Sequence, residues 1–370
     1  MPPRRPARVL VCDRAGSAGG MLDHRASIVK IGDLAAEAGL RRIHLLAWRD
    51  LADVEAGGSE LHAASVARLW AEAGIDVTIR TSYAQGSPPE STRNGYRVIR
   101  RAGRYLVFPR AVTSEVLGRH GPRDALVEIW NGVPWLSPLW ATGPTATWLH
   151  HVHGPMWGMV LPPRLARLGD LLERRIAPPI YRRRALVTLS ESSRHELIEL
   201  GFAADRITVV PPGIHPRFAP GGQRSARPLV VAVGRLMPVK QFDALIRAMA
   251  AVREQVPEAE LVIVGEGAER EPLEDLVSEL DATEWVRLPG RIGDDALVEL
   301  YRSAWLLSSA SVAEGWGMTV TEAAACGTPA VVAADVGDDR WRPAGRRLGD
   351  RHPPALGDRA GAPTRWRRAR

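Results

Sequence analysis

The chain has few of the residues that mark secreted, disulfide-bonded or membrane-spanning proteins. Its 370 residues include two cysteines, Cys12 and Cys326, which lie far apart in unlike contexts and predict no disulfide framework. The apolar run over residues 9–12 is too short for a signal-peptide core, and no stretch has the length needed to span a bilayer. These absences predict a cytoplasmic protein, and peripheral attachment to the inner face of the membrane stays open.

Lysine is almost absent, whereas arginine is abundant. Lys30 and Lys240 are the two lysines among 49 basic residues, and the formal net charge is +7. Most of this excess lies in residues 338–370, where ten Arg and four Asp give a net charge of +6. No aromatic-interleaved basic motif accompanies it, so the charge does not predict nucleic-acid binding.

The length and a hydrophobic fraction of 45% suggest two domains, each with a full core. From residue 42 onwards, buried-type strands alternate with periodic helices, which predicts an α/β class with parallel sheets and right-handed crossovers. We expect five segments: an atypical N-terminal extension (1–41), a first α/β domain (42–219), a Pro/Gly/Ser-rich linker (220–228), a second α/β domain (229–337) and a disordered or out-of-frame tail (338–370).

The periodicity also locates individual elements. Strands are predicted over residues 43–48, 75–81, 126–130, 145–149, 186–190, 207–210, 229–233, 261–264, 285–288, 305–310 and 329–333. Helices are predicted over residues 59–73, 164–181, 194–200, 242–255, 271–280 and 296–302, and another holds residue 322.

The most informative stretch is residues 314–322, which places two carboxylates across a glycine-rich turn. A predicted strand precedes the turn and a predicted helix follows it, so Glu314 lies in the loop and Glu322 in the helix. A helix N-terminus offers unpaired N–H groups that suit phosphates and polyols, and Gly315 would let the backbone approach such a ligand. The alternative is one helix-capping acid and one solvated acid.

Two cations follow the predicted strand at 229–233. Arg235 and Lys240 are five residues apart, and Pro238 between them disfavours a helix, so both can converge in front of the next helix. A point charge beside a planar guanidinium suits a diphosphate. The alternative is an ordinary solvated pair.

Glycine-rich strand ends carry weaker signals. Gly57 and Gly58 open the first long helix and could turn N–H groups toward a phosphate or a sugar. Gly265 and Gly267 follow a strand at the edge where open α/β folds bind ligands. Arg291 follows another strand, whose end could present backbone groups to a base. Plain turns are the alternative in each case.

Three histidines, His150, His151 and His153, follow the predicted strand at 145–149 in the first domain. They suggest zinc, but no Cys or Glu stands at ligand spacing, so we predict no metal. A single histidine at a strand's carboxyl end could instead orient a sugar hydroxyl.

An apolar segment next to a predicted basic helix could form the surface at which the acceptor substrate binds. Residues 129–163 contain five Trp and no charged residue, and residues 164–184 hold seven Arg beside Asp170 and Glu173. Such a surface could rest on anionic lipid, and a solvated helix face is the alternative.

Taken together, these motifs resemble the retaining glycosyltransferases of the GT-B fold, the group that includes phosphatidylinositol mannosyltransferases and sucrose synthase. The resemblance covers residues 42–337. It implies two Rossmann-like domains facing across a cleft, and a donor that is a nucleotide-diphospho-sugar, GDP- or UDP-linked, with no further cofactor. The acceptor would be a lipid, a glycan or a small molecule.

The resemblance also implies roles for residues of this chain. Arg235 and Lys240 would neutralise the diphosphate, Glu322 would hold the ribose hydroxyls, and Glu314 would contact the transferred sugar. The residues with implied catalytic roles are Glu314, His150, Arg235 and Lys240. The implied donor-binding residues are Gly57, Gly58, Arg235, Lys240, Gly265, Gly267, Arg291, Gly315, Met318, Thr319 and Glu322.

Two features depart from the family pattern. His215 stands where relatives carry an acid, and residues 338–370 replace the end of the second domain, which predicts a truncated or frameshifted domain. An inactive remnant that binds nucleotide without turnover is therefore one alternative. A nucleotide-sugar epimerase of the same architecture is another, and products formed without an acceptor would identify it.

Overall fold

A computed structural model describes residues 8–10 and 24–333 of the chain. The predicted tail at 338–370 and the predicted truncation of the second domain lie outside the described residues. The strands are β1 (Arg8–Leu10), β2 (Arg42–Leu46), β3 (Asp76–Thr81), β4 (Glu90–Arg93), β5 (Tyr96–Arg100), β6 (Ala125–Trp130), β7 (Thr145–Leu149), β8 (Ala185–Thr188), β9 (Ile207–Val209), β10 (Leu229–Val233), β11 (Glu260–Val264), β12 (Val286–Gly290), β13 (Leu306–Ser309) and β14 (Ala330–Val332). The helices are α1 (His24–Glu37), α2 (Gly58–Glu72), α3 (Val107–Val116), α4 (Trp157–Val160), α5 (Pro163–Leu171), α6 (Ala177–Tyr181), α7 (Glu191–Glu199), α8 (Phe242–Arg253), α9 (Arg270–Glu279), α10 (Asp294–Ser303) and α11 (Met318–Ala325).

The strands form two sheets, as the alternation predicted. The first has the order β4-β5-β3-β2-β6-β7-β8-β9, in which only the β4–β5 pair is antiparallel. The second has the order β1-β14-β13-β10-β11-β12, in which only β1 is antiparallel to its neighbour. Apart from the edge strand β1, the chain in each sheet starts at a central strand, β2 or β10, builds outward on one side, and then returns to build on the other. This is the Rossmann-like order, and it confirms the predicted fold class.

The cores follow from the sequences of the central strands. Leu45 of β2 and Ile79 of β3 are register partners, and both are buried under α2. Val231 and Val262 pair in the same way in the second sheet. Strands covered by helices on both faces read as continuous apolar runs, which is why the sequence located them.

The hairpin β4–β5 was not predicted, although its turn carries a recognisable signal. Asn94 and Gly95 both have positive φ angles, +47° and +86°, as the two central residues of a tight hairpin turn require. The Asn-Gly pair could therefore have located it.

The N-terminal extension was expected to lie outside the α/β pattern. Instead α1 is a 14-residue helix whose Ala35 is buried against the first core. Strand β1 pairs with β14 at the edge of the second sheet. The first residues of the chain therefore contribute to both halves of the molecule.

The predicted helix at 164–181 is interrupted. A π-helical turn at Leu172–Ile176 separates α5 from α6, which begins with Pro178 and Pro179 in its first turn. The two prolines lack the N–H groups that a regular helix would need there, so the hydrogen-bond register changes before them. Within residues 8–10 and 24–333, no helix is long and apolar enough to cross a bilayer.

Candidate functional site

The two sheets place their strand-order reversals opposite each other. In the first sheet the reversal lies between β2 and β6, and in the second between β10 and β13. Loops diverge at such a point and leave a crevice at the carboxyl ends of the strands. Here the two crevices form one cleft of about 430 Å³, lined by residues from both halves of the chain.

Lys240 and Glu314 form an ion pair inside this cleft. Lys240 ends a 3₁₀ turn after β10, and its Nζ donates a hydrogen bond to Oε1 of Glu314 in the loop after β13. The Ser311 hydroxyl donates to the same oxygen at 2.8 Å. The loops themselves are joined where Val312 N donates to Val239 O at 2.9 Å. The sequence predicted that both side chains belong to the site, but it did not predict their direct contact.

Arg235 lies beside this pair, against the first domain. A Cβ on Gly57 would come within 3.3 Å of Arg235 Nε, and one on Gly58 within 3.1 Å of Met318 Sδ. The predicted glycine loop therefore reaches across the cleft to the second domain. Its close approach depends on the absence of side chains at these two positions.

Glu322 occupies a different environment. It lies on α11, lines the cleft, and is 9% exposed, and the Tyr301 hydroxyl donates to its Oε2 at 3.0 Å. Burial is the main cause that raises the pKa of the Glu322 carboxyl to about 7, and the Tyr301 hydrogen bond partly opposes it. Near neutral pH this carboxyl therefore changes charge. Tyr301 was not predicted as a site residue.

The start of α11 supplies backbone groups to the cleft. Gly317 caps the helix with φ +81°, and Met318 and Thr319 begin its first turn. All three line the cleft. Gly315, just before, packs against the first domain, because a Cβ there would come within 2.6 Å of the His150 carbonyl oxygen. These positions agree with the predicted strand, loop and helix unit.

Gly265 and Gly267 are required for packing. Gly265 has φ +147°, and a Cβ there would lie 1.9 Å from Gly234 O. A Cβ on Gly267 would lie 2.2 Å from Leu236 O. Gly265 lines the cleft, but the structure does not bring Gly267 to its wall. The close contact between the two strand-end loops explains why glycine occupies both positions.

His150 is the best placed of the three predicted histidines. It is 5% exposed, lines the cleft, and its Nε2 lies 3.2 Å from His62 Nδ1. Burial, with a smaller effect of His62, lowers the pKa of His150 to about 3, so the ring is neutral. His62 lies on α2 and was not predicted as a site residue; its spacing on that helix gave no signal that pointed to His150.

His151 and His153 stack on each other with ring centroids 4.4 Å apart. His151 lines the cleft and His153 does not. The loop that carries them is held by Glu173, which accepts hydrogen bonds from His153 N and Gly154 N at 2.8 Å each. Glu173 is thus a buried structural acid and not a solvated one. Among the described residues, no group of three or more His, Cys, Asp or Glu is arranged to hold a metal ion.

Two further contacts join the walls of the cleft. Arg291 Nη2 donates to Ala56 O at 3.2 Å, and the Ser190 hydroxyl donates to Gly315 O at 3.3 Å. The Arg291 side chain thus crosses between the domains, a contact that the sequence did not predict. On the first-domain wall, Asn131 Nδ2 donates to the Ser59 hydroxyl at 2.9 Å, a contact that sequence reasoning missed.

Comparison with protein families assigns both halves of the chain. Residues 217–338 match the model for glycosyl transferases group 1, and residues 56–218 match the model for glycosyltransferase family 4. These matches confirm the resemblance inferred from the sequence motifs.

Individual proteins agree with that assignment. The chain is 32% identical over 324 residues to a D-inositol 3-phosphate glycosyltransferase of Acidothermus cellulolyticus, a match that covers 76% of this chain and 71% of the relative. It is 28% identical over 270 residues to a GDP-mannose-dependent alpha-(1-6)-phosphatidylinositol monomannoside mannosyltransferase of Mycolicibacterium smegmatis, covering 65% of this chain and 67% of the relative. Two further D-inositol 3-phosphate glycosyltransferases, from Nocardia farcinica and Stackebrandtia nassauensis, match over 38% of their own length.

Solved structures share the fold. Anabaena HepE in complex with UDP-glucose aligns with a TM-score of 0.60 at 18% identity, over 80% of this chain and 81% of that one. At this identity the likeness establishes the two-domain fold alone.

Proposed function

The chain belongs to the group 1 glycosyltransferases, a family of enzymes, and we propose that it moves a sugar from a nucleotide-diphospho-sugar to a lipid, glycan or small-molecule acceptor with retention of configuration. One observation carries the proposal: Arg235, Lys240, Glu314 and Glu322 line the same interdomain cleft. Two cations suit a diphosphate, and two carboxylates suit sugar hydroxyls, so the cleft holds groups for both halves of such a donor.

The ion pair between Lys240 and Glu314 suggests how the donor enters. A diphosphate carries more negative charge than one carboxylate and offers more acceptor oxygens. It would draw Lys240 toward itself, together with Arg235, and release Glu314 for the hydroxyls of the sugar. When the bond between sugar and phosphate breaks, its electron pair passes to the phosphate oxygen, and the two cations stabilise that charge. No metal is needed for this role.

The remaining contacts follow from position. Glu322 would accept hydrogen bonds from the ribose hydroxyls, and the N–H groups of residues 315–319 would reach the phosphate or the sugar. Neutral His150 would accept one hydrogen bond from a sugar hydroxyl or donate one to it. His62 would hold the His150 ring in orientation. For retention, the acceptor oxygen attacks from the face that the phosphate leaves, and the leaving phosphate oxygen takes the acceptor proton.

The base of the donor is proposed as guanine or uracil. The relative from Mycolicibacterium smegmatis is named for GDP-mannose, and the structural neighbour HepE holds UDP-glucose. Transfer of either feature to this chain is a proposal, and the acceptor class is proposed from family membership alone.

Thermal unfolding with UDP, GDP or ADP tests the donor site. A ligand at about 100 times its Kd should add about 2.7 kcal/mol to the free energy of unfolding. We expect one of the nucleotides to stabilise the protein, and Lys240→Ala to lose most of that stabilisation. Lys30→Ala is the matched control, because Lys30 is exposed on α1. Equal stabilisation of the Lys240→Ala and Lys30→Ala variants would refute the site assignment.

Turnover separates the alternatives. Lys240→Ala or Glu322→Ala should abolish sugar transfer, and the anomeric configuration of the product, read by NMR, tests retention. Nucleotide binding without any product would favour the inactive remnant. A new nucleotide-sugar formed in the absence of acceptor would instead favour an epimerase.

Peripheral contact with an anionic membrane is a second part of the proposal. Leu165, Leu168 and Leu171 recur every three residues along α5 and are 51%, 56% and 48% exposed. Arg164 and Arg167 lie on the same helix. An apolar face beside basic side chains favours the surface of an anionic bilayer.

Sedimentation with phosphatidylglycerol vesicles tests the membrane proposal. Leu165→Ser/Leu168→Ser should lower the bound fraction severalfold. Leu34→Ser serves as the control, because Leu34 is 55% exposed on α1. An unchanged bound fraction in the double variant would contradict the membrane contact.

A further inference from the structure

A second concave site lies in the first domain, apart from the cleft. It is a groove of about 350 Å³ between α3 and the strands β4 and β5, and it shares no lining residue with the cleft. Five arginines line it, together with one acid: Arg80, Arg97, Arg101, Arg110, Arg119 and Glu90. We call this set the arginine groove.

The acid of the groove is already occupied. Glu90 Oε1 accepts from Arg97 Nε at 2.6 Å, and its other oxygen lies 3.8 Å from Arg101 Nη2. No carboxylate among residues 8–10 and 24–333 lies within 4.0 Å of the guanidinium groups of Arg80, Arg110 or Arg119. The groove therefore has an excess of positive charge that the described protein does not neutralise.

The burial of Arg80 makes this excess of positive charge energetically unfavourable. Its side chain is buried, and its two Nη atoms donate to backbone carbonyls, those of Thr81, Ile99 and Arg101. Neutral carbonyls fix the guanidinium in place but do not cancel its charge. Burial is the main cause that lowers the pKa of Arg80 to about 10, and repulsion from Arg101 and Arg110 adds to it. An anion above these residues would relieve the repulsion.

Glu115 does not supply that anion. Its carboxylate is held by His120 Nδ1 at 2.7 Å, His44 Nδ1 at 3.0 Å and Arg123 Nε at 3.0 Å. Burial by itself would raise the pKa of the Glu115 carboxyl, but the contacts with His120 and His44 outweigh it and hold the pKa at about 2, so the group is ionised but fully engaged. The arginine groove stays cationic beside it.

We propose that the arginine groove binds a phosphate-bearing anion, as a site separate from the donor cleft. Planar guanidinium groups pair with phosphate through two parallel hydrogen bonds, and several converging arginines select phosphate over a single carboxylate. The hydroxyl-bearing residue Ser114 and the apolar side chains of Ile99, Leu106 and Pro109 also line the groove. The lining can therefore contact both polar and apolar parts of the group that carries the phosphate, and a free phosphorylated metabolite and a phospholipid headgroup share the phosphate itself.

Calorimetry with glycerol phosphate tests the proposal on the full chain. Saturating UDP or GDP first fills the donor cleft, so that any further heat reports a second site. We expect one additional equivalent to bind, with an affinity that falls as salt is added. Arg110→Gln/Arg119→Gln should weaken this binding at least tenfold, because both side chains are exposed and their loss should not affect folding.

Arg206→Gln/Arg247→Gln is the control, since it removes the same charge from exposed positions outside the groove. A parallel measurement with phosphatidylglycerol and phosphatidylcholine vesicles separates the sources of the phosphate. Binding of glycerol phosphate supports a free ligand, and loss of phosphatidylglycerol binding in the groove variant alone supports a headgroup. The proposal is wrong if wild type binds no second equivalent and the groove and control variants bind vesicles equally, or if both variants bind glycerol phosphate as wild type does.

Discussion

At the scale of single residues, the cleft combines groups whose charge states differ from those of exposed side chains. His150 is neutral because burial disfavours its charged form, and Glu322 is close to half-ionised at neutral pH for the same reason. The sequence predicted His150 from its place after a strand, and Glu322 from a helix that follows a glycine-rich turn. It could not give their charge states, because those depend on burial and on partners such as Tyr301 and His62 that come from distant parts of the chain.

The pKa of Glu322 predicts pH-dependent nucleotide binding. An ionised carboxylate accepts two hydrogen bonds from a ribose, whereas the protonated acid competes as a donor. Affinity for UDP or GDP should therefore rise as pH increases from 6 through about 7 to 8, and calorimetry at each pH measures it. Glu322→Gln should remove this part of the rise. The diphosphate titrates in the same range, but it does so equally with both proteins. Parallel pH curves for the two proteins would contradict the assignment.

The same group also affects stability, with the opposite sign. The folded-state pKa of about 7 lies above the ordinary value of 4.5, so the folded state binds the proton more strongly. The free energy of unfolding then decreases as pH rises from 4.5 to 7. In the proposed role, Glu322 would bind nucleotide best in the charge state that destabilises the empty protein, which is typical of groups placed for function.

At the scale of elements, the alternation of strands and helices located most of the fold because the parallel strands are buried on both faces. Elements outside that pattern were missed: α3 carries Pro109 within its first turn, and α1 follows a stretch without periodicity. The site was predicted from the loops that follow β10 and β13, since open α/β folds bind ligands beyond the carboxyl ends of their strands. The direct contact between Lys240 and Glu314 was not predicted, because the tertiary arrangement decides which side chains of the two loops meet.

Gly265 gives a test of this element-level packing. A Cβ at this position would overlap Gly234 O at 1.9 Å, and its φ of +147° is unfavourable for any other residue. Gly265→Ala should lower the free energy of unfolding by about 3 kcal/mol or more, measured by urea denaturation. Gly293→Ala is the matched control, because a Cβ there meets nothing within 4 Å. Equal stabilities of the two variants would show that the loops do not pack this closely.

At the scale of the whole molecule, the cleft lies between two halves of the chain that each contain one sheet. Each half has its own core, and a small number of bonds join the walls, among them Arg291 to Ala56 and Ser190 to Gly315. Such a junction can loosen without unfolding either half, because none of the core clusters of the described residues extends across it. Residues at the junction should therefore affect turnover more than stability.

Gly315 tests this separation. A Cβ here would lie 2.6 Å from the carbonyl oxygen of His150 in the opposite domain, so Gly315→Ala must displace one wall of the cleft. We expect turnover to fall tenfold or more, because misplacing reacting groups by about 1 Å has effects of that size. The free energy of unfolding should change by less than about 1 kcal/mol, since neither core is altered. Gly293→Ala again controls for the added methyl group. Unchanged turnover in Gly315→Ala would mean that the domains do not meet at this contact during catalysis, whereas a large loss of stability would mean that the two halves unfold as one cooperative unit.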